Sequence, residues 1–233
     1  MRILSVDTSG RFDAVGLIDG HLVLEDFVAE AEGNSLEDII LNVDRVLTSS
    51  GLTIADVDGL AVGIGPGFWT GVRVGITVGK ILAYVTNKPL WGISSLDALA
   101  YQARDVPILL CPLVEAGRGN VYGGFYRSEG ETVAKEGEYS AGPIGGLLEK
   151  IKEPVLFLGE AAHLHRQTIS EELGPLASFK DSGEGRRGSA IALLALSRFE
   201  RGESDDALSL VPLYLKEPLA QALLAQERKR QAQ

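Results

Sequence analysis

The chain has 233 residues, 45% of them hydrophobic, enough apolar material for one large or two small domains with a substantial core. A formal net charge of -10 argues against strong, independent binding of nucleic acid, because such surfaces are basic. The single cysteine, Cys111, rules out an intrachain disulfide framework and points to a reducing compartment.

Cys111 lies in the apolar run 106–114, where it reads as a small buried hydrophobe rather than a nucleophile. No apolar run reaches the ~18 residues of a membrane span, and the opening residues carry no signal-peptide pattern. The expectation is a cytoplasmic protein with no membrane partner. The basic cluster Arg228, Lys229 and Arg230 stands beside Glu227 and reads as a solvated helix end.

In chain order, residues 2–6 predict a strand, followed by the polar turn Asp7-Thr8-Ser9-Gly10. Strands over 14–18 and 21–28 follow, joined by the hairpin signal Asp19-Gly20. Leu36, Ile39, Ile40, Val43 and Leu47 recur at helical spacing, so residues 35–49 predict a helix, with Asn34 or Ser35 as cap and Gly51 as stop. A strand over 60–64 enters the turn Gly65-Pro66-Gly67, and a helix runs from about 72 to 85. A short strand over 89–93 precedes a helix capped by Ser94 or Ser95 and running to 104.

The second half repeats the pattern. Residues 108–114 predict a strand ending in Glu115-Ala116-Gly117-Arg118, and strands over 121–126 and 132–139 flank a turn at 128–130. A helix over 144–151, a strand over 155–158 and a helix over 161–169 reached through Gly159 come next. After the polar loop 181–188, Ser189 is expected to cap an apolar helix to 199. The tail reads as a strand over 211–215 and a helix from Pro218. Both halves therefore read β-β-β-α-β-α with a boundary near 104–107, which suggests mixed sheets with helices packed on them.

The segment 60–75 carries the most chemistry. A strand, a glycine turn and a helix in that order place free N–H groups at a helix N-terminus, a common anion site. Yet neither specific phosphate motif fits. Gly79-Lys80 is followed by Ile81 inside the helix, not by Ser or Thr, and a dinucleotide fingerprint from Gly65 meets Thr70 and Leu90 where glycine and an acid belong. The glycines continue as a stripe instead: Gly71, Gly75, Gly79 and Ala83 recur every four residues along one side of the helix. Each mid-helix glycine costs roughly 1 kcal/mol relative to alanine, so the stripe implies close backbone approach. It packs either on the chain's own sheet and the 35–49 helix, or on a partner.

These residues resemble a known family. The stretch Ile3-Leu4-Ser5-Val6-Asp7-Thr8-Ser9, the segment from Gly65 to Gly75, Tyr122 after Arg118-Gly119, Gly159-Glu160, and Pro212-Leu213-Tyr214-Leu215-Lys216 are similar to the signatures of the TsaB family. The resemblance covers essentially the whole chain. It implies an α/β fold of two tandem actin/Hsp70-like (ribonuclease H-like) lobes, each a mixed β-sheet with packed helices. The lobes would span 1–104 and 105–210, with a strand and helix tail over 211–233.

TsaB proteins are regarded as non-catalytic partners of the catalytic paralogue TsaD and the ATPase TsaE in making threonylcarbamoyladenosine beside the tRNA anticodon. The implied partners are a TsaD-like subunit and a TsaE-like ATPase, with tRNA met only through the complex and a homodimer when the chain is alone. The implied interface takes in Leu36, Ile40 and Leu41 with Gly71, Gly75, Gly79 and Ala83. The sequence departs from the family pattern at Phe68-Trp69, at Glu115-Ala116-Gly117 and at Asn34-Ser35-Leu36.

Enzymes of this fold hold ATP between their lobes. Asp7, Thr8 and Ser9 are the candidate phosphate turn, against an Asx-type turn that merely closes the strand. Glu115 lacks the glycine-threonine turn that follows a catalytic carboxylate, and Glu160 after Gly159 would repel a nucleotide. ATP or ADP is thus expected at most weakly or at a shared interface, and no catalytic residue is assigned. TsaD carries two metal-binding histidines four apart; His21, His163 and His165 do not repeat that spacing, and no metal is expected. The alternatives are a small ATP-dependent phosphotransferase of the same fold, and a metallopeptidase, after the peptidase label of relatives.

Overall fold

The chain opens with an antiparallel meander of β1 (Arg2–Asp7), β2 (Phe12–Asp19) and β3 (Leu22–Glu30). The computed structural model describes residues 1–31, 35–180 and 187–215. Gly20 takes a positive φ of 58° in the β2–β3 turn, as the Asp-Gly signal requires. Helix α1 (Ser35–Ser49) has the expected bounds; Asn34 and the Ser35 side chain lie outside the described residues. Strand β4 (Gly59–Gly63), helix α2 (Trp69–Thr86) and strand β5 (Leu90–Ile93) complete a five-stranded sheet of order β3-β2-β1-β4-β5, in which β1, β4 and β5 run parallel.

Period-two alternation splits this sheet into two cores. Leu4, Val6, Val15, Leu17 and Val62 point to one face, where Ile39 and Val43 of α1 and Ile76 of α2 cover them. Ile3, Ile18, Ala61 and Trp91 point to the other. That face is covered by α3 (Ser95–Tyr101), capped by Ser94 as expected, and by α7 (Arg187–Glu200). Strands buried on both sides read as continuous apolar runs, which is why β1 and β4 look alike in sequence.

The second sheet has order β10-β9-β6-β7-β8, built from β6 (Leu109–Glu115), β7 (Asn120–Glu129), β8 (Thr132–Pro143), β9 (Val155–Leu158) and β10 (Ala177–Phe179). Three of its features depart from expectation. The helix expected over 144–151 is only α4 (Gly145–Leu148), although Ile151 still packs in the second core. The helix expected over 161–169 is two, α5 (Glu160–Leu164) and α6 (Arg166–Leu173), broken at His165. The three-residue β10 is too short to leave a periodic signal; Phe179 holds it by stacking on Phe157 at 5.8 Å.

The lobes meet through α3. Asp97 on α3 accepts hydrogen bonds from Tyr126 Oη at 2.6 Å and Tyr139 Oη at 2.9 Å. Burial first, then the Asp97 charge, raises both phenols, Tyr139 to about 12.

The C-terminal stretch corrects two expectations. Helix α7 follows the second sheet in sequence but lies on the first, where Gly188 and Gly16 touch so closely that a Cβ on either would strike the other backbone. Ser189 is inside α7 and does not cap it. Asp26 of β3 takes that role, accepting from Ser189 N at 3.3 Å and from its Oγ at 2.5 Å. Residues 211–215 form no strand. With 201–210 they make a strap along β5, where Asp205 N donates to Leu90 O at 2.9 Å and Leu213 N to Ile64 O at 2.8 Å. The helix expected from Pro218 and the loop residues 181–186 lie outside the described residues. No helix among the described residues is long and apolar enough to cross a membrane.

Candidate functional site

The turn after β1 is closed. Asp7, Thr8 and Ser9 are essentially inaccessible, with 0%, 2% and 0% of their surface exposed. Ser9 N donates to Asp7 Oδ1 at 2.8 Å, so the backbone adopts the Asx turn. Thr8 Oγ1 donates to Gly71 O at 2.6 Å, and Ser9 Oγ shares a hydrogen bond with Ser95 Oγ at 2.9 Å. Phe68 N donates to Ser9 O at 2.7 Å, and Gly67 presses against that same carbonyl. The other Asp7 oxygen faces Arg187, whose Nε stands 2.9 Å away as an ion pair out of line for a hydrogen bond.

A phosphate would have to displace all of this. The hydroxyls and carboxylate that a nucleotide would need are committed to α2, α3 and α7. In this arrangement Asp7, Thr8 and Ser9 spend their side-chain hydrogen bonds within the protein. Sequence gave no sign of Arg187, because its partner lies at the opposite end of the chain.

Beside this turn, Asp13 is 2% exposed, and its Oδ2, like Asp38 Oδ2, has no hydrogen-bond partner among the described residues. Burial, then the charges of Asp7 and Asp38, raises its pKa to about 6 against the pull of Arg187.

The equivalent turn of the second lobe follows β6. Glu115 accepts from Gly117 N at 3.0 Å and pairs with His165 Nε2 at 3.3 Å. His163 Nε2 lies 3.2 Å from Lys180 O, and His21 pairs with Glu200 at 3.6 Å. The histidines are thus dispersed, and no group of three or more His, Cys, Asp or Glu side chains is placed to hold a metal among the described residues.

The glycine stripe faces inward, which corrects its assignment to a partner interface. A side chain on Gly71 would strike Thr8 O, one on Gly75 would meet Thr8 Oγ1, and one on Gly79 would strike Val62. Ala83 is buried in the core under α1 and α2. The stripe lets α2 settle onto β1 and β4 at backbone distance.

The outer side of the same helix pair carries large exposed apolar side chains that no other described element covers. Leu36, Ile40 and Leu41 of α1 are 50%, 53% and 66% exposed, and Ile81, Tyr84 and Val85 of α2 are 55%, 76% and 67% exposed. The α2 trio was missed by the sequence reading, although its spacing of three and four residues is a second helical stripe. At one end of this face a groove of about 230 Å³ is lined by Leu36, Trp69, Thr70, Arg73, Val74 and Thr77. Trp69 stacks on Tyr214 of the strap at 4.5 Å, and the Arg73 guanidinium lies over the Trp69 ring at 4.6 Å. Exposed large apolar side chains grouped on one face are a common mark of a binding surface.

Two sequence comparisons bear on these features. The family model described as "TsaD: tRNA N6-adenosine threonylcarbamoyltransferase" matches residues 29–223. The tRNA threonylcarbamoyladenosine biosynthesis protein TsaB of Bacillus subtilis is 30% identical over 98% of this chain and 100% of its own length. The chain belongs to the TsaB family. Among solved structures, YeaZ from Pseudomonas aeruginosa superposes with a TM-score of 0.78 over 92% of this chain and 99% of that one, at 23% identity. A ROK hexokinase from Thermus thermophilus shares the fold at a TM-score of 0.54 and 14% identity, over 87% and 100% of the two chains. The two five-stranded sheets with their helices thus have the fold of these two structures. As a TsaB-family member, the chain is related to a tRNA threonylcarbamoyladenosine biosynthesis protein.

Proposed function

We propose that this chain is a non-catalytic, activating subunit of the assembly that forms threonylcarbamoyladenosine next to the tRNA anticodon. Its α1/α2 face binds a TsaD-like catalytic paralogue, a TsaE-like ATPase joins the pair, and tRNA is met only through the complex. The observation that carries this reading is the exposure of Leu36, Ile40, Leu41, Ile81, Tyr84 and Val85, which no other described element covers. Six large apolar side chains on two adjacent helices form the desolvated centre that a helix-pair interface needs. The committed hydrogen bonds of Asp7, Thr8 and Ser9 support the non-catalytic half, because the turn that holds phosphate in enzymes of this fold is filled by the protein itself.

Likeness to a hexokinase at 14% identity carries fold, not chemistry. The test is an Ile40→Asp, Tyr84→Asp double variant, titrated with a TsaD-like partner by calorimetry. These positions are solvent-exposed, so folding should be preserved while affinity falls at least 100-fold. Undiminished affinity would overturn the docking face. Micromolar ATP binding with magnesium by the isolated chain, with turnover on a small acceptor, would overturn the non-catalytic assignment.

A further inference from the structure

A second cavity lies between the sheets. It holds about 240 Å³ where α3 and α7, which cover the first sheet, meet the start of β8 in the second. Ile93, Val133 and Leu194 give it an apolar wall, and Asp97, Arg198 and Arg201 are its charged groups. We propose that this cavity binds a small zwitterion, an α-amino acid with an aliphatic side chain, its ammonium on Asp97 and its carboxylate on Arg201.

The hydrogen bonds already made within the protein select that class. Asp97 Oδ1 accepts from Tyr126 Oη at 2.6 Å and Tyr139 Oη at 2.9 Å, which fixes the orientation of the carboxylate. Its Oδ2 accepts from no described residue, so it is the oxygen left for a ligand. Arg201 is oriented by its Nε, which donates to Glu203 Oε1 at 2.7 Å, and neither of its Nη groups has a hydrogen-bond partner among the described residues. Those two groups form a fork that can pair a carboxylate through parallel hydrogen bonds. Arg198 does not compete for it. Asp205 holds both Arg198 Nη groups, at 2.8 and 3.0 Å, and Glu203 holds its Nε at 3.0 Å.

The cavity therefore offers one open anion and one open cation. A ligand of single charge would be attracted by one and repelled by the other, whereas a zwitterion satisfies both. The volume falls below the roughly 300–1,000 Å³ of pockets that take drug-sized ligands, which suits a molecule of amino-acid size. Ile93, Val133 and Leu194 give an aliphatic group on that molecule a surface on which to leave water. Helices α3 and α7 lie on the opposite face of the first sheet from α1 and α2, so the site is separate from the docking face and stands whether or not a partner binds there.

The test titrates the isotopically enriched full chain with L-valine, and separately with isovalerate and isobutylamine, which each keep one of its two charges. The expected result is saturable shifts with L-valine centred on the amides of Asp97, Val133 and Leu194, and at least tenfold weaker binding of either analogue. Arg201→Gln, at an exposed side chain, should weaken L-valine at least tenfold. Asp97→Asn, which keeps an acceptor for the two phenols, should do the same. Absent or non-saturable shifts with L-valine would overturn the proposal. So would equal binding of either analogue, or undiminished binding in either variant.

Discussion

Arg187 at the start of α7 stands 2.9 Å from the carboxylate of Asp7 at the end of β1, with both side chains almost wholly removed from solvent. This pair fastens the last described helix to the first strand and helps close the turn after β1. Gly10 leaves room for it, since a Cβ there would lie 2.7 Å from Arg187 Nη2.

Removing one partner strands a buried charge. Arg187→Met should lower unfolding free energy by about 3–5 kcal/mol, read as a shift of the urea midpoint at constant slope. Adding Asp7→Asn to the same chain should recover a large part of that loss, because the orphaned carboxylate is then gone. No recovery in the double variant would mean that the guanidinium acts only by packing.

Asp13 sets a pH dependence of opposite sign to that of a salt-bridged acid. Its pKa rises from 3.8 to about 6 in the folded protein, so between those values the native state binds more protons than the unfolded chain. Its contribution is complete below pH 4 and is lost as pH rises through 6, at most about 3 kcal/mol by linkage. Asp13→Asn should flatten this slope and raise the melting temperature at pH 7.5. The check is a series of thermal melts from pH 4.5 to 7.5.

Inward glycines make a further prediction. Gly75→Leu and Gly79→Leu should destabilise the fold by about 1–3 kcal/mol, since a Cβ alone would lie 2.5 Å from Thr8 Oγ1 or 2.1 Å from Val62 Cγ1. Partner affinity, measured on whatever fraction stays folded, should be nearly unchanged. A variant with wild-type stability but no partner binding would return the stripe to the interface.

The remote cap on α7 is also testable. Asp26→Ala removes both acceptors from Ser189 and should cost about 1–2 kcal/mol, the range of a lost helix cap. Ser189→Ala, which leaves the backbone N–H bond to Asp26 in place, should cost less. Equal losses in the two variants would show that the hydroxyl bond alone matters.

Much of the fold was legible because local signals sufficed. Leu36, Ile39, Ile40, Val43 and Leu47 mark α1, Asp19-Gly20 marks the β2–β3 hairpin, and Ser94 caps α3. Where local signal was weak the reading failed. Residues 211–215 read as strand-like, yet they form an irregular strap in which Leu213 N bonds Ile64 O just past β4 and Tyr214 stacks on Trp69 of α2. His165 breaks a helix that periodicity alone would have continued, and its side chain turns to Glu115 on another strand.

The candidate site divides in the same way. From the sequence alone came the helical stripe of Leu36, Ile39, Ile40, Val43 and Leu47, and a glycine stripe that demands close packing, since helical spacing and glycine's cost are local properties. Only the tertiary structure decided which surface the stripe meets. It placed Thr8 and Val62 beneath Gly71, Gly75 and Gly79, brought Arg187 to Asp7, and left Ile81, Tyr84 and Val85 facing outward. The reason is physical: a helix pattern states that one side must be buried, but which elements cover it depends on contacts between residues far apart in the chain.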